Sequence, residues 1–241
     1  MRTTTADVVS RRSPFFVALA WALAVTLALG FARSFFLYPV LGSKPLTVAL
    51  IIHGLCGTAW FALLIQQARL ARARRMPDHR QWGRWGPYVA AAVILSALWI
   101  VAISAFDGRP TGSGLPEQVG LFIQLTTTAW FAALATSGFL LTRQPDAHRR
   151  LMILATITML APAFSRITRL FRDGGPPLFD SATLAIPFIL ALAWYDWRQL
   201  GRAHRVTLWI GGAYILWTQI RMPLARSDAW ASLVASALGG G

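Results

Sequence analysis

Long apolar segments alternate along the chain with short polar turns. A helix needs roughly 20 mostly apolar residues to cross a hydrocarbon core of about 30 Å. Strands would require alternating apolar and polar positions, a pattern that is absent here. Because backbone groups in a bilayer must be bonded within their own segment, the sequence predicts an all-α, polytopic transmembrane helical bundle. The seven predicted spans cover residues 14–38, 45–67, 87–106, 119–142, 151–170, 183–197 and 206–224.

The sixth and seventh predicted spans are the least regular. The run Trp194-Tyr195-Asp196-Trp197 closes the sixth, and Arg221 lies near the end of the seventh. A bundle of six spans is therefore an open alternative. Glycine- and proline-rich turns are predicted at 108–118 and 172–180, and Pro162 is expected to kink the fifth span. The predicted organisation is a cytoplasmic amino-terminal tail over 1–13, a single transmembrane domain over 14–224 and a short carboxyl-terminal tail over 225–241.

One segment of the chain occurs twice. The run TAWFALLIQQARLARARRMPDHR begins at Thr58, and TAWFAALATSGFLLTRQPDAHR begins at Thr128. Both copies cross in the same direction before the chain turns back. The sequence therefore predicts a parallel internal repeat, in which spans 2 and 3 correspond to spans 4 and 5. The repeated Trp60 and Trp130 are expected to pack against neighbouring helices, and the aspartates of the Pro-Asp pairs to cap the helices that follow.

Composition supports a membrane protein and argues against a soluble one. Apolar residues make up 56% of the chain and charged residues 13%, whereas soluble domains carry about 25% charge. The net charge of +14 does not predict a nucleic-acid partner, because the basic residues flank apolar spans instead of forming one patch. The expected partner is the lipid bilayer. A single cysteine, Cys56, excludes an intramolecular disulfide and a cysteine-based zinc site.

Basic residues are unevenly divided between the two sets of turns. About two thirds of the 23 Lys and Arg residues fall on the side of the amino terminus. This bias predicts a bacterial inner-membrane protein with its amino terminus in the cytoplasm and its carboxyl terminus outside. The opening SRRSPFF, residues 10–16, also resembles a twin-arginine export signal. The apolar run that follows is long enough to remain as a first span.

Three of the four histidines, His79, His148 and His204, lie at predicted cytoplasmic turns beside arginines. Two imidazoles on neighbouring helices could hold the iron of a b-type haem, with arginines pairing its propionates, and three could hold zinc. Solvated histidines at helix starts are the plainer interpretation. The spacing matches no haem-attachment or zinc motif and selects no metal site. The possible haem ligands are His53, His79, His148 and His204.

His53 differs from the other three because it lies within a span, roughly 12 Å from the outer end by helical rise. An ionisable residue at such depth is a functional-site hypothesis by default. Other polar residues are predicted at similar depth, and together they would form a positively charged pocket for a carboxylate or phosphate. The alternative is that the arginines extend to lipid headgroups. The predicted ligand-binding residues are Arg33, His53, Gln124, Arg166, Gln219 and Arg221.

Three features resemble a family of bacterial multi-pass membrane proteins: an internal His53-Gly54, the run HRQWGRWG at 79–86, and the run HRRLMILATITMLAPAFSR at 148–166. The resemblance covers about residues 30–230, and the last run is its most specific part. It implies no activity, cofactor or substrate, since none is established for that family. It does imply that the positions of His53, His79, His148 and Arg166 recur.

The leading functional hypothesis is a protein that binds or transports a small anionic molecule or lipid headgroup. The alternatives are a b-type haem electron-transfer protein and an assembly or interaction subunit of a membrane complex. No nucleophile and base at a recognisable spacing and no phosphate-binding glycine loop are present. The sequence therefore predicts no catalytic residues and disfavours hydrolysis and phosphoryl transfer.

Overall fold

A computed structural model describes residues 13–41, 46–107, 116–169 and 181–238. Within these ranges every regular element is helical and no strand is present, which confirms the all-α class. The predicted amino-terminal tail, except for Ser13, lies outside the described residues. The predicted turn at 172–180 and most of the turn at 108–118 lie outside them as well.

The helices follow the predicted apolar segments closely. Among the described residues, two π-helical segments interrupt the α-helical pattern: Ala32–Phe36, after the first helix, and Thr207–Gly211, before the helix that begins at Gly212. A 3-10 segment covers Ser181–Ala185. In chain order the α-helices are α1 (Phe15–Phe31), α2 (Tyr38–Leu41), α3 (Val48–Arg72), α4 (Met76–Gly83), α5 (Gly86–Asp107), α6 (Glu117–Leu140), α7 (Pro145–Thr158), α8 (Ala161–Arg169), α9 (Ile186–Leu200), α10 (Gly212–Ala225) and α11 (Asp228–Ala237).

Within the described part of the chain, four helical stretches are long and apolar enough to cross a membrane: Phe15–Phe36, Val48–Arg72, Met76–Phe106 and Glu117–Leu140. The pair α7 and α8 adds a fifth if it is counted as one bent span. Predicted spans 6 and 7 correspond to α9 and α10 with their preceding segments, and neither is among these long apolar helices.

The kink predicted at Pro162 is present. α7 and α8 meet at an angle of 42°. Pro162 has no N–H to donate to the carbonyl of Thr158, so the α-helical bonding is interrupted at that point. The amides of Met159 and Leu160 bond instead to carbonyls three residues back, at 3.2 and 3.1 Å.

Trp60 lies at the centre of the apolar core. Its side chain is 2% exposed, and its indole N–H donates to Thr156 Oγ1 at 3.0 Å. The Trp60 and Phe131 rings are nearly perpendicular, with their centroids 4.9 Å apart. These contacts join α3, α6 and α7, so Trp60 packs as predicted. Trp130 packs edge-on against Tyr214 of α10 at 5.4 Å.

Large apolar side chains also cover the outside of the bundle. Leu95, Leu216 and Trp209 are 66%, 62% and 70% exposed. A monomeric soluble protein rarely leaves so much contiguous apolar surface in water. The distribution fits a bundle whose outer face contacts lipid.

Candidate functional site

The first π-segment, Ala32–Phe36, is the centre of the first candidate site. Its π-helical character is visible in the amide of Leu37, which donates to the carbonyl of Ala32, five residues back, at 2.7 Å. Single-turn π-bulges interrupt regular backbone bonding and are frequent at functional sites. This segment carries Arg33, predicted as a binding residue, and Ser34.

Two other predicted binding residues lie beside the same segment. The Arg166 guanidinium of α8 lies over the Phe31 ring, 4.3 Å from its centroid. Phe35 packs against Gly54, leaving no room for a Cβ there, and Gly54 adjoins His53 in α3. We call the group Arg33, Ser34, His53, Ser96 and Arg166 the π-segment site.

The close approach of α1 and α8 brings Arg166 to this segment. A Cβ on Gly30 would lie 2.6 Å from the Cα of Ala163, so only glycine permits this crossing. The bend at Pro162 directs α8 across the end of α1. Helix crossing and helix break together position the Arg166 side chain over Phe31.

His53 is tied to α5 by one hydrogen bond. Its Nδ1 lies 3.0 Å from the Ser96 hydroxyl oxygen, which also lies 3.0 Å from the carbonyl oxygen of Val93. The other ring nitrogen, Nε2, bonds to no group in the described part of the chain.

One buried polar atom without a partner lies in this site, and another lies in α6. The Ser34 hydroxyl and the Oε1 of Gln124 are buried and form no hydrogen bond. Buried polar groups are almost always paired, so each exception calls for an explanation such as a ligand or water. Arg166 donates only one described hydrogen bond, to the carbonyl of Pro162 at 3.0 Å, although a guanidinium carries five N–H donors.

The other predicted binding residues lie on a neighbouring pair of helices. Gln124 is in α6, and Gln219 and Arg221 are in α10, which packs against α6. The Gln219 amide donates to Thr218 Oγ1 at 2.8 Å, and Arg221 is 2% exposed. Arg166 and His53 are thus connected to the segment that carries Arg33 only through Phe31 and Gly54. The other three predicted residues belong to the α6–α10 pair.

His79 and His148 form a second candidate site. The Nδ1 of His79 donates to the carbonyl of Gln67 at 3.2 Å, and the Nδ1 of His148 donates to the carbonyl of Gly138 at 2.7 Å. A carbonyl accepts only, so both rings carry the proton on Nδ1 and keep the Nε2 lone pair. Histidines that bind metals commonly use such a bond to fix ring orientation. The two rings lie within electrostatic range of each other.

His204 has a different role. Its Nδ1 accepts from the amide of Val206 at 3.2 Å and so caps the start of a helix. Burial lowers the pKa of His204 below its ordinary value, and the positive charge of Arg150 lowers it further. Among the described residues no group of three or more His, Cys, Asp or Glu side chains is arranged to hold a metal ion.

A fully buried ion pair joins Arg150 of α7 to Asp196 of α9; both side chains are 0% exposed. One carboxylate oxygen accepts from Arg150 Nε at 2.9 Å and also from Nη2. The other accepts from the Thr207 hydroxyl at 2.5 Å and from the amide of His204 at 3.1 Å. Arg150 Nη1 donates to the carbonyl of Asp146 at 2.7 Å. We call Arg150, Asp196 and Thr207 the ion-pair cluster.

Sequence reasoning missed this cluster. Asp196 was predicted only as part of the run that closes the sixth span, and no buried partner was predicted for Arg150. The available signal was an aspartate inside an apolar, aromatic run, which needs a buried partner. The predicted caps also differ: Asp78 and Asp146 lie in first helical turns and pair with Arg75 and Arg149 at 2.7 and 2.5 Å.

Comparison with protein families, with curated proteins and with solved structures finds no match to this chain.

Proposed function

We propose that this protein binds or transports a small anion, a free carboxylate or phosphate or a lipid headgroup, at the π-segment site of a bacterial inner-membrane bundle. The observation that supports this most is the buried Ser34 hydroxyl without a partner. It lies in a π-helical segment that also carries Arg33 and that follows Phe31, the residue contacted by Arg166. An anion would accept from the hydroxyl and from the guanidinium groups. Arginine is well suited to this, because its planar fork pairs carboxylate and phosphate in two-point geometry.

The backbone around the site also supports binding within the membrane. Transporters commonly build substrate sites from discontinuous helices, whose exposed backbone and polar groups face the ligand. Here a π-segment and the break between α7 and α8 lie on either side of the Phe31–Arg166 contact. His53 adds a hydrogen-bonding nitrogen, Nε2, at the neighbouring Gly54 contact.

The proposal includes seven spans, with the amino terminus in the cytoplasm and the π-segment site in the outer half. The uneven distribution of arginines supports this orientation. A parallel repeat of spans 2–3 and 4–5 is part of the same proposal. Its support is that His79 and His148, the matching histidines, donate the same bond to a carbonyl of the preceding helix.

Anion-dependent thermal stabilisation of the purified protein tests the function. Phosphate, sulfate and a series of carboxylates are titrated against wild type, Arg166→Ala and Arg169→Ala. Arg169 is a matched control, because it lies one turn further along α8 and bonds a backbone carbonyl four residues back in the same way. At least one anion is expected to raise the Tm of wild type and of Arg169→Ala while leaving Arg166→Ala unchanged. The proposal fails if no anion stabilises wild type, or if Arg166→Ala responds equally.

A second candidate function is b-type haem binding between His79 and His148. The specific observation is that both Nδ1 protons are held by carbonyls while both Nε2 lone pairs remain for a metal. Bound haem would supply one-electron chemistry, and the chain would supply ligands, orientation and a basic surrounding. The buried amide of Gln67 also lacks a partner at this turn.

A dithionite-reduced minus oxidised visible spectrum tests this second function. Protein made with haem supplied is expected to show a sharp α-band that His79→Ala and His148→Ala each abolish. His204→Ala is the control, since its ring caps a helix. A flat wild-type spectrum, or a band that survives both substitutions, excludes this pair as haem ligands.

A further inference from the structure

A groove lies between α1 and α3 at the end of the bundle opposite the π-segment site. It encloses about 340 Å³ and is lined by Val17, Trp21, Arg69, Arg72 and Ala73. We call it the Trp21 groove. Trp21 precedes Arg33 by about 18 Å along the helix axis, by the rise per residue. The groove and the π-segment site are therefore separate.

The groove carries two positive charges on one helix face. Arg69 and Arg72 are three residues apart in the last turn of α3, so their side chains extend on the same side. Both are exposed, and neither forms an ion pair with a carboxylate among the described residues. The nearby Asp78 pairs with Arg75 instead. Two unpaired guanidinium groups at a concave surface favour an anion as the occupant.

The rest of the groove is apolar and aromatic. Val17 and Ala73 supply aliphatic surface, and Trp21 is half exposed. The Trp21 indole N–H has no hydrogen-bond partner in the described ranges, unlike those of Trp60 and Trp230. Tryptophan is enriched at the membrane interface, where its ring contacts acyl chains and its N–H reaches polar headgroup atoms.

We propose that the Trp21 groove is a binding site for the phosphate headgroup of an anionic phospholipid. Arg69 and Arg72 bind the phosphate, while Trp21 and Val17 contact the glycerol and upper acyl region. Basic pockets between transmembrane helices are known to bind anionic headgroups. The groove combines positive charge, which suits a phosphate, with apolar surface, which suits the lipid attached to that phosphate. A free phosphate would leave this apolar surface uncovered.

Native mass spectrometry of the full chain in mild detergent tests this site. Dioleoylphosphatidylglycerol is titrated against wild type, Arg69→Gln/Arg72→Gln and the control Arg198→Gln/Arg202→Gln. The control removes the same charge around the end of α9, where Arg198 contacts Trp194 of its own helix and lines no part of the groove. Loss of both groove arginines is expected to weaken binding about 30-fold, equivalent to about 2 kcal/mol, while the control binds like wild type.

Three further binding measurements in the same experiment identify the ligand. Dioleoylphosphatidylcholine should bind wild type more weakly than the anionic lipid, and Trp21→Leu should weaken anionic lipid binding less than the arginine pair does. Millimolar inorganic phosphate should fail to displace the lipid.

Displacement by phosphate would overturn the lipid assignment in favour of a free anion. Equal binding by wild type and Arg69→Gln/Arg72→Gln would overturn the site itself. Both arginines are exposed, so the variant is expected to keep the wild-type Tm without lipid.

Discussion

The π-segment site and the ion-pair cluster are both polar regions beside a π-helical segment of an apolar bundle. They differ in how completely their polar atoms are bonded. In the cluster, both Asp196 oxygens accept hydrogen bonds from protein donors. In the π-segment site, the Ser34 hydroxyl is buried without a partner and Arg33 is exposed.

This difference is the reason why we propose a structural role for the ion-pair cluster and a binding role for the π-segment site. A closed network has no unsatisfied group to offer a ligand. Its residues join α7, α9 and the π-segment Thr207–Gly211. An unsatisfied buried group costs free energy until a partner arrives. We therefore expect substitutions in the cluster to lower stability, and substitutions in the π-segment site to lower ligand binding.

The largest expected effect comes from Asp196→Leu. This substitution leaves the Arg150 charge buried without its carboxylate, and breaking a buried pair from one side costs about 3–5 kcal/mol of unfolding free energy. Denaturant or thermal unfolding in detergent measures the loss. Asp78→Leu, which removes an exposed aspartate paired with Arg75, should change stability by less than about 1 kcal/mol. Similar losses from the two substitutions would contradict the structural role of the cluster.

The double substitution Arg150→Met/Asp196→Leu sharpens this test. Replacing both ions with apolar side chains removes the uncompensated charge, and such replacements are often close to neutral. Much of the stability lost in Asp196→Leu should therefore return in the same unfolding measurement. A double variant as unstable as the single variant would show that the hydrogen bonds to Thr207 and His204 matter more than the charge pairing.

The two hydroxyls of the two π-segments provide a direct comparison. Thr207 donates to Asp196 at 2.5 Å, and hydrogen bonds to charged groups contribute about 1.5–3 kcal/mol. Thr207→Val should lower the unfolding free energy by about that amount. Ser34→Ala should not lower it, and should raise it by up to about 1–3 kcal/mol in the absence of ligand, because the change removes a buried hydroxyl that forms no hydrogen bond.

For anion binding, Ser34→Ala should have a larger effect than Thr207→Val, the reverse of their order for stability. Ser34→Ala should reduce the thermal stabilisation by the best anion, whereas Thr207→Val should retain it. The contrast between the π-segment site and the ion-pair cluster is contradicted if Ser34→Ala destabilises the protein more than Thr207→Val does. It is also contradicted if the anion stabilises both variants equally.

The smallest expected effect is a pH dependence from His204. Its pKa is lowered in the folded protein, chiefly by burial, so the unfolded chain binds the proton first as pH falls. Stability should be full above about pH 6.5 and decline as pH falls through the lowered pKa. The charged groups that act on this ring are Arg150, Asp196, Asp146 and Arg149.

The variant His204→Asn isolates this contribution. Asparagine keeps an acceptor for the helix start but does not titrate. The difference in Tm between wild type and variant should therefore change between pH 8 and pH 5, with wild type losing relative stability at the acidic end. A constant difference would assign the pH dependence to other groups.

Local patterns predicted the helices well because apolar length and proline position are local properties. The bend at Pro162 and the core position of Trp60 needed only the sequence around them. The π-segments were not predicted, since one extra residue in a helical turn leaves an apolar run looking the same. The pairing of Arg150 with Asp196 was also missed, because the two residues are 46 positions apart and meet only through helix packing.

The candidate site was predicted in part for the same reason. His53 and Arg166 were identified by their depth in apolar segments, which is readable along the chain. Their common neighbour, the π-segment with Ser34, depends on how α1 crosses α3 and α8. The way in which these helices cross is a tertiary property that cannot be read along the chain.

Anion protection of individual arginines tests the binding claim most directly. The purified protein is treated with an arginine-specific dicarbonyl reagent with and without phosphate or the best stabilising carboxylate, and mass spectrometry follows each site. Binding at the π-segment site predicts slower modification of Arg33 and Arg166 when the anion is present, and no change at the exposed Arg226. Equal rates at Arg33 and Arg166 with and without every anion would contradict it.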